Sequence, residues 1–531
     1  MTKKIGLFFG AGAEIAYGMP DGGRFALDVF RAQQTKAKAN FRAALKQVDK
    51  EASHYVTEFL PKDFEKKSVT VFGKAQLATI FRSSLKTHRV ELKNQLDNFD
   101  EQVAQGVLSE RDLQTVKNIL QRLADIHDID DFTLAEKVSL TSGLKSEENN
   151  RGLFYSNILS ACLKALSQKS TKTNNHDDGD AELNQDNACR KDLGSFIQAI
   201  LELYIGAVGE STVERLNNHL FEVDDELDEQ AKGIVESFDG IFRLDYSQLG
   251  MSALGYVIEA QEGSESQQDN ERQKLQHFIF ASLRQLISSC INYQELIDSH
   301  WRFLYSPREE WGKFTKIAIF LEGVRLYVEE KRKEARTDID KNNANYYHDL
   351  KHLQVDQGSL VVGTSNYTDL IEEISELNQH VYYLNGKVTE RYDPYTNEMF
   401  EVPKTLEKRL TVPLLFTQSG IKPLTSIEMA KRYVRLYEHY ERCEQIAIVG
   451  FGFNGDDGHI NGMFRQLHEQ SKALKKLTVF HYDPTFSMSE TELQKLYKNK
   501  LRLATKKHLE VLSVNNQGRL ENGELWYTAL T

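Results

Sequence analysis

A run of apolar and small residues, Ile5-Gly6-Leu7-Phe8-Phe9, stops at Gly10-Ala11-Gly12 and passes directly into helix-compatible sequence. A buried strand, a glycine turn and a helix in that order open a parallel α/β sheet; a helical bundle or a β-sandwich would not start so. One such unit cannot fold alone, so its partner strands must lie elsewhere in the chain. They lie far off. Short apolar runs, each followed within a few residues by Gly, Asn, Ser or Asp, return only after Gly358, at 359–362, 380–384, 412–416, 445–449 and 477–481, the last read as the final strand. Between them a helix is expected over 426–441, with Thr425 and Glu428 spaced as a capping box and Ile427, Ala430, Val434 and Tyr437 on one face. Strands alternating with helices imply a Rossmann-like, mainly parallel sheet whose ligands bind at the carboxyl ends of its strands.

The intervening stretch, 31–345, has a different character. Its long charged segments carry apolar residues at helical spacing: Leu193, Phe196, Ile197, Ile200, Leu201 and Tyr204; Leu275, Phe278, Ile279, Leu283, Leu286, Ile287 and Cys290; Ile317, Phe320, Leu321, Val324 and Val328. Residues 171–187, rich in Asn and Asp and nearly without apolar side chains, read as a mobile loop, and 261–270 as a shorter one. No repeat of fixed period is visible, which argues against a solenoid. The expected architecture is an α/β domain made of 1–30 and 357–531, interrupted by an all-helical insertion or regulatory region over 31–345.

At 531 residues the chain exceeds one ordinary core. A formal charge of -12 gives no footprint for wrapping nucleic acid, which is not an expected partner. Cys162, Cys189, Cys290 and Cys443 are too scattered for a zinc half-site, so no metal is expected. No stretch approaches the roughly 18 to 20 apolar residues of a membrane span. A soluble protein in a reducing, cytoplasmic setting, with no membrane partner, is the expectation.

Glycines after a strand let backbone N–H groups approach a pyrophosphate, but Gly-x-Gly alone is a weak signal; an ordinary strand-turn-helix packing motif would look the same. The longer run Gly10-Ala11-Gly12-Ala13-Glu14-Ile15-Ala16-Tyr17-Gly18-Met19-Pro20-Asp21 resembles the opening of sirtuins, a Gly-Ala-Gly turn followed by Gly-Ile-Pro-Asp-Phe-Arg. Asp21 matches directly; Arg24 matches after one extra residue, because Gly22-Gly23 stands for the single Phe. Glu14 stands where that family has Ser or Thr, and a carboxylate facing a pyrophosphate is unfavourable unless it points away. Further on, Gly363-Thr364-Ser365-Asn366 resembles the sirtuin Thr-x-Asn segment, in which the Asn positions the nicotinamide ribose and a water. A neutral amide suits that task because it hydrogen-bonds hydroxyls without repelling a developing oxocarbenium ion; a local strand-end turn is the other reading. Val381-Tyr382-Tyr383-Leu384-Asn385-Gly386 resembles the strand ending in Leu-His-Gly, with Asn385 in place of the basic His. His380 lies on the opposite strand face and reads as structural. Ile446 to Val449 with Gly450-Phe451-Gly452-Phe453-Asn454 resembles the glycine turn of sirtuin-like domains in bacterial defence proteins, where it approaches the nucleotide. Asp456, Asp457 and His459 read as a polar helix cap. Asp483, after the strand at 477–481, stands at the family's adenosine position and equally fits an Asp-Pro turn.

The resemblance covers about 1–30 and 357–515 and implies an NAD-consuming enzyme closer to the defence branch than to deacetylases. It implies Asn366, Asn385 and Asp21 as catalytic and Gly10, Ala11, Gly12, Arg24, Thr364, Gly450, Gly452, Phe453 and Asp483 as NAD-binding. The implied activity is cleavage of NAD to nicotinamide and ADP-ribose, depleting NAD in an infected cell. An oligomer, or a separate sensor or regulatory protein acting through the helical region, is implied as partner. The competing reading is a catalytically weakened subunit that binds NAD or ADP-ribose, favoured by Asn385 and Glu14. A conventional oxidoreductase fits poorly, since Ile15 occupies the place of the third glycine.

Overall fold

The structure, a computed structural model, describes residues 4–32, 34–51, 54–132, 156–167, 179–208, 250–259, 270–338, 345–353, 359–377, 380–401, 409–420 and 426–530. They divide into two compact units, residues 1–72 with 293–531 and residues 73–292.

The first unit is built on a six-stranded sheet of β1 (Ile5–Phe9), β2 (Leu360–Thr364), β3 (Val381–Tyr383), β7 (Gln445–Val449), β8 (Lys476–Tyr482) and β9 (Leu509–Val514), in the order β3-β2-β1-β7-β8-β9. Every neighbouring pair is parallel, and Phe9 is level with both Thr364 and Val449. The chain lays β2 and β3 outward on one side of β1, then returns to its other side for β7, β8 and β9. The order therefore reverses between β1 and β7, and an open parallel sheet leaves a crevice outside the carboxyl ends of its strands at such a point.

Both faces are covered, so the central strands read as continuous apolar runs. Phe8, Ile446 and Ile448 pack with Leu436, Tyr440 and Phe464 on one face; Leu7, Phe9, Ala447 and Val449 pack with Tyr347, Ile371 and Trp526 on the other. The helix Ile427–Tyr440 starts at Ser426, whose side chain accepts from the Met429 N–H; this corrects the expected Thr425–Glu428 box, and Thr425 lies outside the described residues. Its buried side is Met429, Leu436 and Tyr440, with Tyr433 partly covered, whereas Ile427 and Val434 are 71% and 55% exposed. The expected face is thus rotated, because the helix lies down on glycines: a Cβ on Gly363 would stand 2.6 Å from Leu436. Tyr440 also donates from its hydroxyl to the Leu7 carbonyl at 2.6 Å. Tyr440→Phe is expected to lower unfolding free energy by about 1 kcal/mol, read from a denaturant midpoint shift at constant slope.

Two strand expectations are corrected. Residues 412–416 do not join the parallel sheet; β6 (Val412–Pro413) pairs antiparallel with β4 (Glu390–Asp393), which pairs antiparallel with β5 (Glu398–Glu401). The last strand is β9, beyond the 477–481 segment.

Among the described residues, 31–345 is helical and without strands. The three apolar faces read from the sequence are buried in the helices Gly179–Val208, Glu271–Cys290 and Trp311–Asp338. The sheet-bearing unit also contains the helices Gly22–Ala32, Gln34–Gln47 and Trp311–Asp338, so it is wider than the two segments singled out by sequence. The second unit is all-helical, cored by Phe99, Phe196 and Phe278 in mutual ring contact. Of the expected loop at 171–187, residues 179–187 instead form the first turns of a helix, held by ion pairs such as Arg122–Asp186, and residues 171–178 lie outside the described set. Residues 260–269 also lie outside it, and Asn270 caps the helix Glu271–Cys290. All four cysteines are free and buried. Among the described residues, no helix is long and apolar enough to cross a membrane.

Candidate active site

At the reversal point two glycine turns interlock. Gly10 donates to the Val449 carbonyl at 2.9 Å and Gly12 to the Gly450 carbonyl at 2.8 Å. A Cβ on Gly10 would stand 2.6 Å from the Gly450 oxygen, one on Gly12 2.8 Å from the Gly450 Cα, and one on Gly450 2.6 Å from the Gly12 carbonyl carbon. The glycines are therefore required first by each other. Gly450 (φ 65°) and Phe453 (φ 54°) are both left-handed, and a left-handed non-glycine residue costs of order 1–3 kcal/mol unless its surroundings hold it. Phe453 is so held, packing on Phe451 and Tyr497 at 5.0 and 5.6 Å between ring centres. Its side chain belongs to the core, which leaves backbone as what this turn presents. Gly452 has only the Asn454 side chain near its missing Cβ. Among the described residues, the N–H groups of Ala11 and Gly452 meet no protein acceptor.

Asn366 lies just beyond β2, one strand over. Its Nδ2 donates to the Gly10 carbonyl and to the Tyr347 hydroxyl, both at 3.1 Å. Because a carbonyl only accepts, this fixes which way the amide faces and leaves Oδ1 as its remaining polar atom. Tyr347 in turn donates to Glu14 Oε1 at 3.2 Å, and Thr368 donates to the same oxygen at 2.7 Å. Glu14 thus turns inward, away from the crevice, and is 3% exposed. Burial pushes its carboxyl up to about 7, against the opposing pull of hydrogen bonds from Thr368, Tyr347 and Asn366. Tyr17 stacks on Tyr347 at 5.2 Å and accepts from the Tyr347 backbone N–H, closing the cluster from the far side.

Thr364 is wholly buried, donating to the Phe9 carbonyl and accepting from the Asn366 N–H, so its hydroxyl shapes the strand end. Asn385, past β3, donates to the Ser365 carbonyl at 3.2 Å while its own carbonyl accepts from Phe416. This brings the two asparagines onto adjacent strand ends. His380 precedes β3 and so stands at the opposite end of the strand from Asn385. Asp21 accepts from the Arg24 N–H and pairs with the Arg24 side chain at 3.3 Å, both about two-fifths exposed at the start of the helix Gly22–Ala32. Phe25 stacks on Tyr367, carrying that helix start toward the end of β2. Burial, and after it Tyr293, Asp457 and Asp456, raise the Tyr367 hydroxyl, and Asp457 stands at the N-cap of the helix Gly458–Gln470 without a side-chain capping bond. Asp483 is engaged within its own loop, accepting from Thr485 and from the Met488 N–H, which holds its carboxyl below the usual range. That is the strand-ending turn; it leaves Asp483 little capacity for a ribose. No group of His, Cys, Asp and Glu fit to hold a metal occurs among the described residues.

Sequence reading located the strand-end asparagines and the glycine turns. It missed Tyr347 and Thr368, which carry no motif and reach the site only through tertiary contact, and it gave Tyr17, within the Gly10–Asp21 run, no role; for Glu14 the one signal was its departure from Ser or Thr. Asn366 and Asn385 are each 5% exposed. A groove of about 760 Å³ lies between the helices Ile427–Tyr440 and Gly458–Gln470, lined by Tyr433, Tyr437, His459 and Met463. Set against known proteins, the chain matches no family model, no curated protein and no solved structure.

Proposed function

We propose that this chain is an NAD glycohydrolase that cleaves NAD to nicotinamide and ADP-ribose, with a Rossmann-like, sirtuin-like domain of the bacterial anti-phage defence type. What carries the reading is one juxtaposition: the Asn366 amide is hydrogen-bonded to the carbonyl of Gly10, the first residue of the glycine turn, at the point where strand order reverses. Such turns accept a pyrophosphate on backbone N–H groups, here those of Ala11 and Gly452. Asn366 Oδ1 would then accept from a ribose hydroxyl or an attacking water.

The chemistry asks little of a base. Nicotinamide leaves NAD as a neutral molecule from a cationic glycoside, so the site has chiefly to bind, orient and stabilise an oxocarbenium-like state. The amide at Asn385 is compatible with that step, and NAD is a substrate needing no metal. The Asp21–Arg24 turn would close over the nicotinamide end. Two asparagines so nearly covered suit an activity held off until a trigger acts, through oligomerisation or a sensor partner at the helical region.

The same burial of both asparagines favours a second reading, a regulatory subunit that binds NAD or ADP-ribose without turnover. Both are tested by incubating purified protein with NAD, with and without lysate from phage-infected cells, and quantifying nicotinamide and ADP-ribose by chromatography. Asn366→Ala is expected to lower release by about 100-fold or more with folding retained. Wild-type release from that variant would sink the site assignment. NAD binding without release under either condition would leave the regulatory reading standing.

A further inference from the structure

A cation that belongs to no motif touches the glycine turn after β7. Lys500, in the last turn of the helix Glu490–Leu501, donates from Nζ to the Gly452 carbonyl at 3.2 Å and lies over the Tyr497 ring at 5.5 Å. An ammonium has three N–H donors, and the carbonyl uses one of them. Among the described residues, no carboxylate is paired with it. We propose, resting on the NAD reading, that Lys500 is a phosphate-binding residue of this site: its Nζ and the Gly452 N–H together take the pyrophosphate of NAD.

Position is the first argument. The Tyr497 ring packs on Phe453 at 5.6 Å and its hydroxyl meets His481 Nδ1 at 3.0 Å. Lys500 therefore stands beside the carboxyl ends of both β7 and β8. The asparagines assigned to the nicotinamide end follow β2 and β3, on the other side of the point where strand order reverses. A dinucleotide laid across that point from the asparagines has its pyrophosphate over β1 and β7 and its adenosine toward β8. The reach fits as well. A residue's carbonyl oxygen lies no more than about 3.6 Å from its own nitrogen, which places Lys500 Nζ within about 7 Å of the Gly452 nitrogen. One phosphate group with an oxygen on each donor spans that gap. Gly452 is exposed, and only the Asn454 side chain stands near its missing Cβ.

Charge is the second argument. A pyrophosphate is a dianion, and backbone N–H groups meet it with partial charges only. The segment after the turn holds Asp456 and Asp457, whose charges reach Tyr367 beyond β2. Asp483 is near His481, where it opposes the lowering of that imidazole by burial and by the Lys500 ammonium. Three carboxylates thus surround a place meant for an anion, and a cation is needed to offset them. Arg24, the cation of the sirtuin-like opening, is paired with Asp21. Lys500 has no such partner: desolvation lowers its ammonium from the ordinary lysine value, with no carboxylate to offset it. A phosphate arriving at Nζ supplies that counter-charge through charge-assisted bonds, which are shorter and stronger than neutral ones.

The test uses the whole chain with ADP-ribose, NAD and nicotinamide riboside, the last of which carries the same glycosidic bond without the pyrophosphate. Lys500→Gln is expected to weaken ADP-ribose binding, read by calorimetry, about tenfold or more. It should raise the KM for NAD by a similar factor, with a much smaller change in kcat. The preference for NAD over nicotinamide riboside, as a ratio of kcat/KM values, should fall about tenfold with it. Lys500→Arg keeps the charge and should return ADP-ribose affinity to within about threefold of wild type. A Lys500→Gln chain that binds ADP-ribose as wild type does overturns the proposal and leaves either NAD reading standing. Equal losses of kcat/KM on NAD and on nicotinamide riboside overturn it too, because Lys500 would then only be propping the turn. A wild-type chain that neither cleaves NAD nor binds ADP-ribose overturns the NAD reading, and this role with it.

Discussion

Gly450→Ala is expected to destabilise the sheet-bearing unit by about 4 kcal/mol or more, enough to put it beyond soluble, cooperative folding in a marginally stable protein. Two separate costs combine. Gly450 is left-handed, which alone penalises an added Cβ. The Cβ would also meet backbone, at the Ala13 nitrogen and the Gly12 carbonyl carbon, and backbone cannot rotate aside as a side chain can. Gly452→Ala is the control two residues away. Its φ is not left-handed and its nearest neighbour is the Asn454 side chain at 3.3 Å, so a loss below about 1 kcal/mol is expected. Denaturant unfolding of the two variants decides the matter: equal losses would show that the interlock of the Gly10–Gly12 and Gly450 turns is not what these glycines serve.

That interlock also shows where sequence is informative. β1, β2 and β7 were readable because strands buried on both faces are uninterrupted apolar runs, and Gln445–Val449 falls where the pattern put it. β9 alternates instead, with Leu509 and Val511 buried and Glu510 half-covered, and an edge strand of that kind gives a weaker signal. β4 was invisible for a different reason. Glu390-Arg391-Tyr392-Asp393 has one apolar side chain, and distant ion pairs hold it, Arg432 to Glu390 and Arg409 to Asp393, with both carboxylates buried. Periodicity cannot report partners that far along the chain. The rotated face of the helix Ile427–Tyr440 follows the same logic: the pattern allows several apolar stripes, and contact with Gly363 selects one.

At the site the division is similar. Asn366, Asn385 and the glycines sit at strand ends, so a motif in order along the chain was enough to place them together. Tyr347 lies 333 positions from Glu14, and nothing in either local sequence announces the bond between them. Glu14 looked like a defect in a phosphate site, on the sound ground that a carboxylate repels an anion. Its carboxyl turns inward instead, accepting from Thr368 and Tyr347, where burial raises its pKa.

A buried acid with a raised pKa leaves a signature in stability that needs no substrate. Glu14 is held up to about 7 in the folded chain against a reference near 4.5 when unfolded. Between those values the folded state keeps a proton that the unfolded state has released, so unfolding free energy must fall as pH rises. The contribution of the neutral carboxyl is complete below about pH 4.5 and lost above about 7, and about 2.5 units at 1.36 kcal/mol each sets a loss of up to about 3 kcal/mol. Other groups titrate over the same range, so the quantity to measure is the difference between wild type and Glu14→Gln in urea midpoints at several pH values. The variant is expected to gain on wild type as pH rises through the window and to hold a constant advantage above it. The opposite slope, with wild type gaining as pH rises, would mean that the hydrogen bonds from Thr368 and Tyr347 outweigh burial and that Glu14 is ionised across the window.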